Sequence, residues 1–313
     1  MSKKQNSKKK NSSDDDNNIR IRRIVMGLGV ILIVAGFFGM DLNPDDADEW
    51  NVSEEGILSY SQVEDTQYSY EELSGNTTDT LKLVTFESRG AQIEGILRIP
   101  QSDTRVPGVV VLPGAGVTKE MQNRVPETLA DLGYASLTID QRNLGGINPE
   151  SDLEIFKNGG EPVEYLMVYD AMMAADVLQD QTRVENNIAM LGLSNGGRFA
   201  IIATAIDPDI KGVIAISTGG YDTDSIDRNM VADETAYRFY TSIDPDNYLD
   251  IIPPRRLVMF HSVNDSIVPY EMAHKTFSKA EEPKAFYGLT GDTHGYSQAV
   301  EGYMEEELDL IFN

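Results

Sequence analysis

Apolar positions over the last three quarters of the chain fall into short blocks whose period switches between two and 3.6. Residues 81–88 and 92–99 alternate apolar and polar side chains on either side of Ser88-Arg89-Gly90, which predicts two half-buried strands joined as a hairpin. Residues 106–112 (VPGVVVL) form a continuous apolar run, as expected of a parallel strand covered on both faces. Beyond it the pattern predicts helices over 119–132, 163–179, 198–206, 270–279 and 297–312. Between them it predicts strands over 134–140, 188–193, 210–217, 256–261 and 284–289. Such alternation implies an α/β fold, a mostly parallel sheet with helices on both faces, preceded here by an antiparallel hairpin. Residues 219–253 break the rhythm and are expected to form a lid. Catalytic groups in this architecture gather on the loops at the carboxyl ends of the strands.

The first 80 residues follow a different pattern. Residues 1–23 carry eight basic and three acidic side chains in a Ser/Asn/Lys-rich stretch with nothing to build a core, and are expected to be a basic cytoplasmic tail. Residues 24–40 (IVMGLGVILIVAGFFGM) run for 17 positions without a charge or a proline. As a helix they cover about 26 Å, close to the roughly 30 Å of a hydrocarbon core, and Arg22 and Arg23 can snorkel to close the gap. Basic residues before the span and acidic ones after it orient a single-pass anchor with residues 41–313 outside the cytoplasm. A cleaved signal peptide, with Val34-Ala35-Gly36 as its small residues, and a buried core helix are the competing readings. Residues 41–80, rich in Asp, Glu, Ser, Thr and Asn, read as an acidic stalk with a short helix around 64–73.

Composition narrows the chemistry. Acidic residues outnumber basic ones 51 to 26, for a net charge of −25, which repels phosphate backbones and argues against a nucleic-acid partner. The chain has no cysteine and only three histidines. Disulfides, thiolate nucleophiles, zinc ribbons and iron–sulfur clusters are thereby excluded, and few groups remain for acid–base work near neutral pH. No His-Glu-X-X-His occurs, and the pairs Asp222/Asp224 and Asp244/Asp246 read as solvated loops, so no metal or cofactor is expected.

Against that background one segment stands out. Gly192-Leu-Ser194-Asn-Gly196-Gly197 lies between a predicted strand and a predicted helix. A serine hydroxyl is a weak nucleophile and needs exposure, a base beside it and donors for the oxyanion it creates. A sharp strand-to-helix turn supplies the exposure, and the flanking glycines let the chain bend that tightly. The helix amino end adds positive dipole and the backbone amide of Asn195. Further along, Asp265 follows the strand at 256–261, and His294 sits in a glycine-bounded loop after the last strand. Serine, acid and histidine thus occur in the order of a Ser-Asp-His triad, with His294 as base and Asp265 as its partner. His261 reads as structural, His274 as a surface or packing residue, and Asp292 as support for its loop. The second oxyanion donor is expected from Pro113-Gly114-Ala115-Gly116-Val117, with the Ala115 amide preferred and Gly116 next.

Residues 81–313 resemble the α/β-hydrolase superfamily, and within it the branch of dienelactone hydrolases and prolyl oligopeptidase catalytic domains. The likeness rests on Gly192-Leu-Ser194-Asn-Gly196-Gly197, on Asp265 with Ile267-Val-Pro269, on His294, on the opening hairpin with Glu94-Gly95, and on Asp140-Gln-Arg142-Asn-Leu-Gly145. It implies an eight-stranded sheet and serine-dependent hydrolysis of a small ester or peptide-like substrate through an acyl-enzyme. Serine stands where dienelactone hydrolases proper have cysteine, and Pro113-Gly114 where many relatives have His-Gly. A carboxylic-ester hydrolase is the expected activity. A serine peptidase or acyltransferase with the same triad, and a catalytically dead binding protein tethered to the membrane, are the alternatives.

Overall fold

The computed structural model describes residues 49–313 apart from 62–65, 76–77 and 291–293. The expected tail, the apolar span at 24–40, the start of the stalk and Asp292 lie outside the described residues. Among the described residues no helix is long and apolar enough to cross a membrane.

Residues 50–313 form one compact unit. It opens with a small antiparallel hairpin, β1 (Trp50–Val52) and β2 (Leu58–Tyr60). Nine further strands make the main sheet: β3 (Tyr68–Gly75), β4 (Asp79–Ser88), β5 (Ala91–Pro100), β6 (Val106–Leu112), β7 (Ala135–Ile139), β8 (Val184–Leu193), β9 (Ile210–Ile216), β10 (Arg256–Ser262) and β11 (Lys284–Leu289). Their order is β11-β10-β9-β8-β6-β7-β5-β4-β3. β6 to β11 pair in parallel, while β3, β4 and β5 add an antiparallel margin.

The ninth strand corrects the sequence reading. Residues 68–75, expected within a helical piece of a stalk, are the edge strand β3. Tyr68 pairs with Phe86 and Glu71 with Leu83, so β4 supplies backbone partners for a polar segment whose residues 69–73 are exposed. The hairpin at 50–60 belongs to the same unit. Trp50 packs against Phe156 and Tyr165, and the Tyr248 hydroxyl accepts the Leu58 amide at 2.9 Å. The compact unit that holds the sheet therefore begins at Trp50 rather than at 81.

Among the described residues, seven α-helices accompany the sheet: α1 (Arg124–Asp131), α2 (Pro149–Lys157), α3 (Val163–Gln179), α4 (Asn195–Ile206), α5 (Glu234–Ser242), α6 (Tyr270–Lys279) and α7 (Gln298–Phe312). Side chains of successive strand residues point to opposite faces, and the core divides accordingly. Val110, Leu112, Met190 and Met259 pack with α3 and α4 on one face, and Val109, Val111, Leu191 and Val258 with α1 and α7 on the other. Val109 to Leu112 are wholly buried, each contributing about 1.5–3 kcal/mol of burial. Helix α1 starts five residues later than expected; residues 119–122 form turns instead, and the Lys119 amide and ammonium both bond Asp140 at 2.7 Å each. Helix α2, not anticipated, begins at a proline and is capped by Asn148, whose side chain accepts the Ser151 amide.

The expected lid at 219–253 contains α5 and three short 3-10 turns. Its acidic residues are not all solvated. Asp244 and Asp246 are buried, and Asp244 accepts the amides of Tyr221 and Thr223, each at 2.9 Å. Asp222, Asp224 and Asp246 lie close enough together to share a cation. The ammonium of Lys279 sits among them, 2.7 Å from Asp222 and from Asp246. The group is thus an internal ion-pair network.

Candidate active site

Register brings the chemistry to one edge. Leu112 pairs with Gly192, Gly192 with Ala215, Ile216 with Phe260, and Ser262 with Leu289. Five parallel strands therefore end nearly level, and the segments that follow them emerge side by side. Hydrogen bonds continue the ladder past the strand ends. The Ser194 amide donates to the Ile216 carbonyl at 2.9 Å, the Ser217 amide to Phe260 at 2.9 Å, and the Val263 amide to Leu289 at 2.8 Å.

Ser194 sits between β8 and α4 with φ 52° and ψ −121°, a conformation that costs a non-glycine residue roughly 1–3 kcal/mol and persists only where neighbours enforce it. Those neighbours are visible. The Ser194 carbonyl accepts the Gly197 amide at 2.9 Å and the Thr218 hydroxyl at 2.7 Å. A Cβ at Gly192 would overlap the Gly196 carbonyl, and one at Gly196 would overlap those of Leu112 and Pro113. Glycine at these two positions is what lets the turn close against β6. The Ser194 side chain, at the turn's apex, is half-buried.

Asp265 and His294 meet. Nδ1 of His294 lies 2.8 Å from Asp265 Oδ2, and the other carboxylate oxygen accepts the amides of Ile267 at 2.8 Å and Val268 at 3.0 Å. Burial pushes the Asp265 carboxyl up, but the two amides and His294 outweigh it and hold the group below its ordinary value. A carboxylate bonded to Nδ1 fixes the tautomer whose Nε2 is available to accept a proton. Next to His294, the Gly295 amide donates to the Ser217 hydroxyl at 2.8 Å. Ser217 follows the residue whose carbonyl holds the Ser194 amide, so Ser194 and the neighbour of His294 are tied to successive residues at the carboxyl end of β9.

His261 is buried at the end of β10, with Nε2 2.8 Å from the Val268 carbonyl and 3.6 Å from Asp265. Burial pulls its pKa down. His274 is exposed on α6 against Tyr270 and Phe286.

The two candidate donors in the loop after β6 separate. Ala115 and Gly116 are both exposed, but the Gly116 amide donates to the Leu144 carbonyl at 2.7 Å. The Gly116 amide is thus engaged within the protein rather than free for an oxyanion. Asn195 opens α4, and its side-chain amide donates to the Gly145 carbonyl at 3.2 Å. Sequence reasoning singled out residues 140–145 for likeness alone and missed what they hold. Gln141 donates to the Pro113 carbonyl. Arg142 forms a two-pronged pair with Asp170, at 2.7 and 3.0 Å, and reaches the Ser88 carbonyl at 2.6 Å. Ser217 and Thr218 were missed as well; a Ser-Thr-Gly-Gly run after an apolar strand was the available signal.

Known proteins share this arrangement of elements. The structure is similar to acetyl xylan esterase 1 from Thermoanaerobacterium sp. JW/SL YS485, with TM-score 0.65, 13% identity, and 80% of this chain and 89% of that one covered. It is also similar to the glucuronoyl esterase from Solibacter usitatus, with TM-score 0.61, 14% identity and coverage of 85% and 90%. A third similar structure is Est1E from Butyrivibrio proteoclasticus, with TM-score 0.57, 18% identity and coverage of 73% and 98%. The fold is that of the α/β hydrolases. Residues 93–246 match the dienelactone hydrolase family. The chain is 26% identical over 158 residues to the uncharacterized protein YfhR of Escherichia coli O157:H7, covering 47% of this chain and 55% of that protein. For YfhR of strain K12 the identity is 24% over 185 residues, with 53% and 62% covered. The matched segment thus spans little more than half the length of these curated relatives.

Proposed function

We propose that the chain is a serine hydrolase that cleaves carboxylic esters through an acyl-enzyme. The observation that carries the reading is the His294–Asp265 hydrogen bond, held on the same sheet edge as a serine in a strained strand-to-helix turn. In the proposed reaction Ser194 Oγ attacks the ester carbonyl carbon while its proton passes to His294 Nε2, and the amides of Asn195 and Ala115 receive the oxyanion. Collapse expels the alcohol, which takes the proton from His294. Water, deprotonated by the same imidazole, then attacks the acyl carbon and releases the acid and the Ser194 hydroxyl. Asp265, kept ionised by the surrounding amides, stabilises the imidazolium formed in each half.

Ester rather than amide chemistry draws support from the solved neighbours, three of which are esterases by name. Exposed apolar side chains ride on the segments after β6, β7, β9 and β10, namely Met121, Leu144, Tyr221 and Ile267, and they favour an ester with an apolar portion. Residues 24–40 and their asymmetric charge support an extracytoplasmic, membrane-anchored enzyme. The test is fluorophosphonate labelling with hydrolysis of a p-nitrophenyl ester series, alongside amide substrates. Ser194→Ala should abolish labelling and lower kcat/KM by about 10⁴-fold or more while leaving folding intact. A Ser194→Ala protein as active as the parent would end the assignment.

A further inference from the structure

We infer that the left-handed turn Asn143-Leu144-Gly145 is a brace that sets the spacing of the two oxyanion donors, with the Asn195 side chain as its positioning residue on the helix side. The inference rests on the serine-hydrolase reading and goes beyond it in assigning this turn and side chain a role.

The proposed donors, the amides of Ala115 and Asn195, belong to segments far apart in sequence, and their separation must match a single oxygen about 2.7–3.1 Å from each. Both segments are fastened to the same turn. On one side the Gly116 amide donates to the Leu144 carbonyl at 2.7 Å. On the other, Asn195 Nδ2 donates to the Gly145 carbonyl at 3.2 Å. Each bond is made by a group immediately at a donor: Gly116 follows Ala115, and the Asn195 side chain leaves the residue whose own amide is the second donor.

The backbone conformation explains how adjacent carbonyls serve both sides. In extended chain, successive carbonyls point in opposite directions; in a helical turn of either hand they point the same way. Asn143 and Leu144 are in left-handed helical conformation, with φ/ψ of 49°/31° and 49°/41°, and Gly145 continues with φ 67°. In this turn the Leu144 and Gly145 carbonyls each accept one of the two bonds. Left-handed backbone is unfavourable for Leu144, and its surroundings hold it there. Arg142, just before the turn, is pinned to Asp170 at 2.7 and 3.0 Å. Asn143 closes the far end, its Nδ2 donating to the Gly146 carbonyl at 3.0 Å. Gln141 ties the same segment to the Pro113 carbonyl at the root of the donor loop.

The experiment compares Asn195→Ala and Leu144→Gly with the parent and with Ser194→Ala, measuring kcat, KM and inhibition by a trifluoromethyl ketone that mimics the tetrahedral oxyanion. Asn195→Ala keeps the backbone donor and loses only the brace. It should lower kcat about tenfold or more, leave KM within about threefold, and weaken the ketone in step with kcat/KM. Asn195→Gln, which keeps the amide donor, should recover part of the loss. Leu144→Gly, freeing the turn, should lower kcat about threefold or more. A packing role would alter melting temperature without this split between kcat and KM. Wild-type kcat and ketone affinity in Asn195→Ala overturn the inference. If that variant does not fold, wild-type kcat in Leu144→Gly does so. Ser194→Ala separates the two layers: if it is inactive and Asn195→Ala is normal, the brace alone fails, and if it is active the hydrolase reading fails.

Discussion

Replacing Arg142 by methionine tests whether the turn at 140–145 is anchored electrostatically. The guanidinium makes two bonds to Asp170, at 2.7 and 3.0 Å, and one to the Ser88 carbonyl at 2.6 Å. The Asp170 side chain is 1% exposed and that of Arg142 14%, so neither charge is well screened by water. Without the arginine, Asp170 keeps the Ser88 hydroxyl, 2.5 Å away, as its remaining bond among these partners. Leaving a buried carboxylate without its countercharge costs about 3–5 kcal/mol, which at a urea slope of about 2–3 kcal/mol per molar lowers the midpoint by roughly 1–2 M. The sign of the pH dependence follows from burial, which already raises the Asp170 pKa despite Arg142 and Ser88. Arg142→Met raises it further. A carboxyl whose folded value exceeds its unfolded value of about 3.9 loses stability as pH climbs from there through the folded value. The penalty should therefore be larger at pH 8 than at pH 5. Urea denaturation of the parent, Arg142→Met, Asp170→Asn and the double variant at both pH values is the assay. In the Asp170→Asn background Arg142→Met should cost no more than about 1 kcal/mol, a coupling of at least about 2 kcal/mol. Equal costs in the two backgrounds, or a single-variant cost under about 1 kcal/mol at pH 8, would refute the reasoning.

Two further outcomes follow from the fold. A chain starting at residue 49 should unfold cooperatively, whereas one starting at 81 should be insoluble or melt at least about 10 °C lower. It loses buried Val52 and Leu58, uncovers Phe156 and Tyr165, and strips β4 of its edge partner; equal melting temperatures would contradict this. His261, with its pKa pulled down by burial, contributes stability that is present above its unfolded value of about 6.5 and is lost as pH falls through the folded value. Parent and His261→Phe stabilities measured by denaturant from pH 8 to 5 should therefore converge on acidification, and parallel curves would count against a neutral buried imidazole.

Much of the fold was legible because it is written in local pattern. The apolar run at 106–112 became β6 with the same bounds, and the helices at 163–179 and 270–279 appear as α3 and α6 without adjustment. Strand β3 was not legible, since Tyr68-Ser-Tyr-Glu-Glu carries the composition of a solvated linker and becomes a strand only through β4. Asp244 and Asp246 misled in the same way: they read as loop acids and are buried because amides and Lys279 reach them from distant positions. Of the site, the order Ser194, Asp265, His294 could be read directly. That Gly116 is engaged by Leu144 could not, because a backbone amide has no sequence signature and its partner is chosen by how two loops dock.

By itself the sequence determined the alternation of strand and helix, the glycine-flanked Ser194, and the presence of an acid and a histidine after later strands. These depend on side-chain type and near-neighbour spacing, which act over a few residues. Only the tertiary structure decided the level strand ends, the 2.8 Å bond between His294 and Asp265, and the turn that links Gly116 to Asn195. Those depend on register and on backbone carbonyls brought together across dozens of residues, where every amino acid offers the same groups and geometry alone distinguishes them.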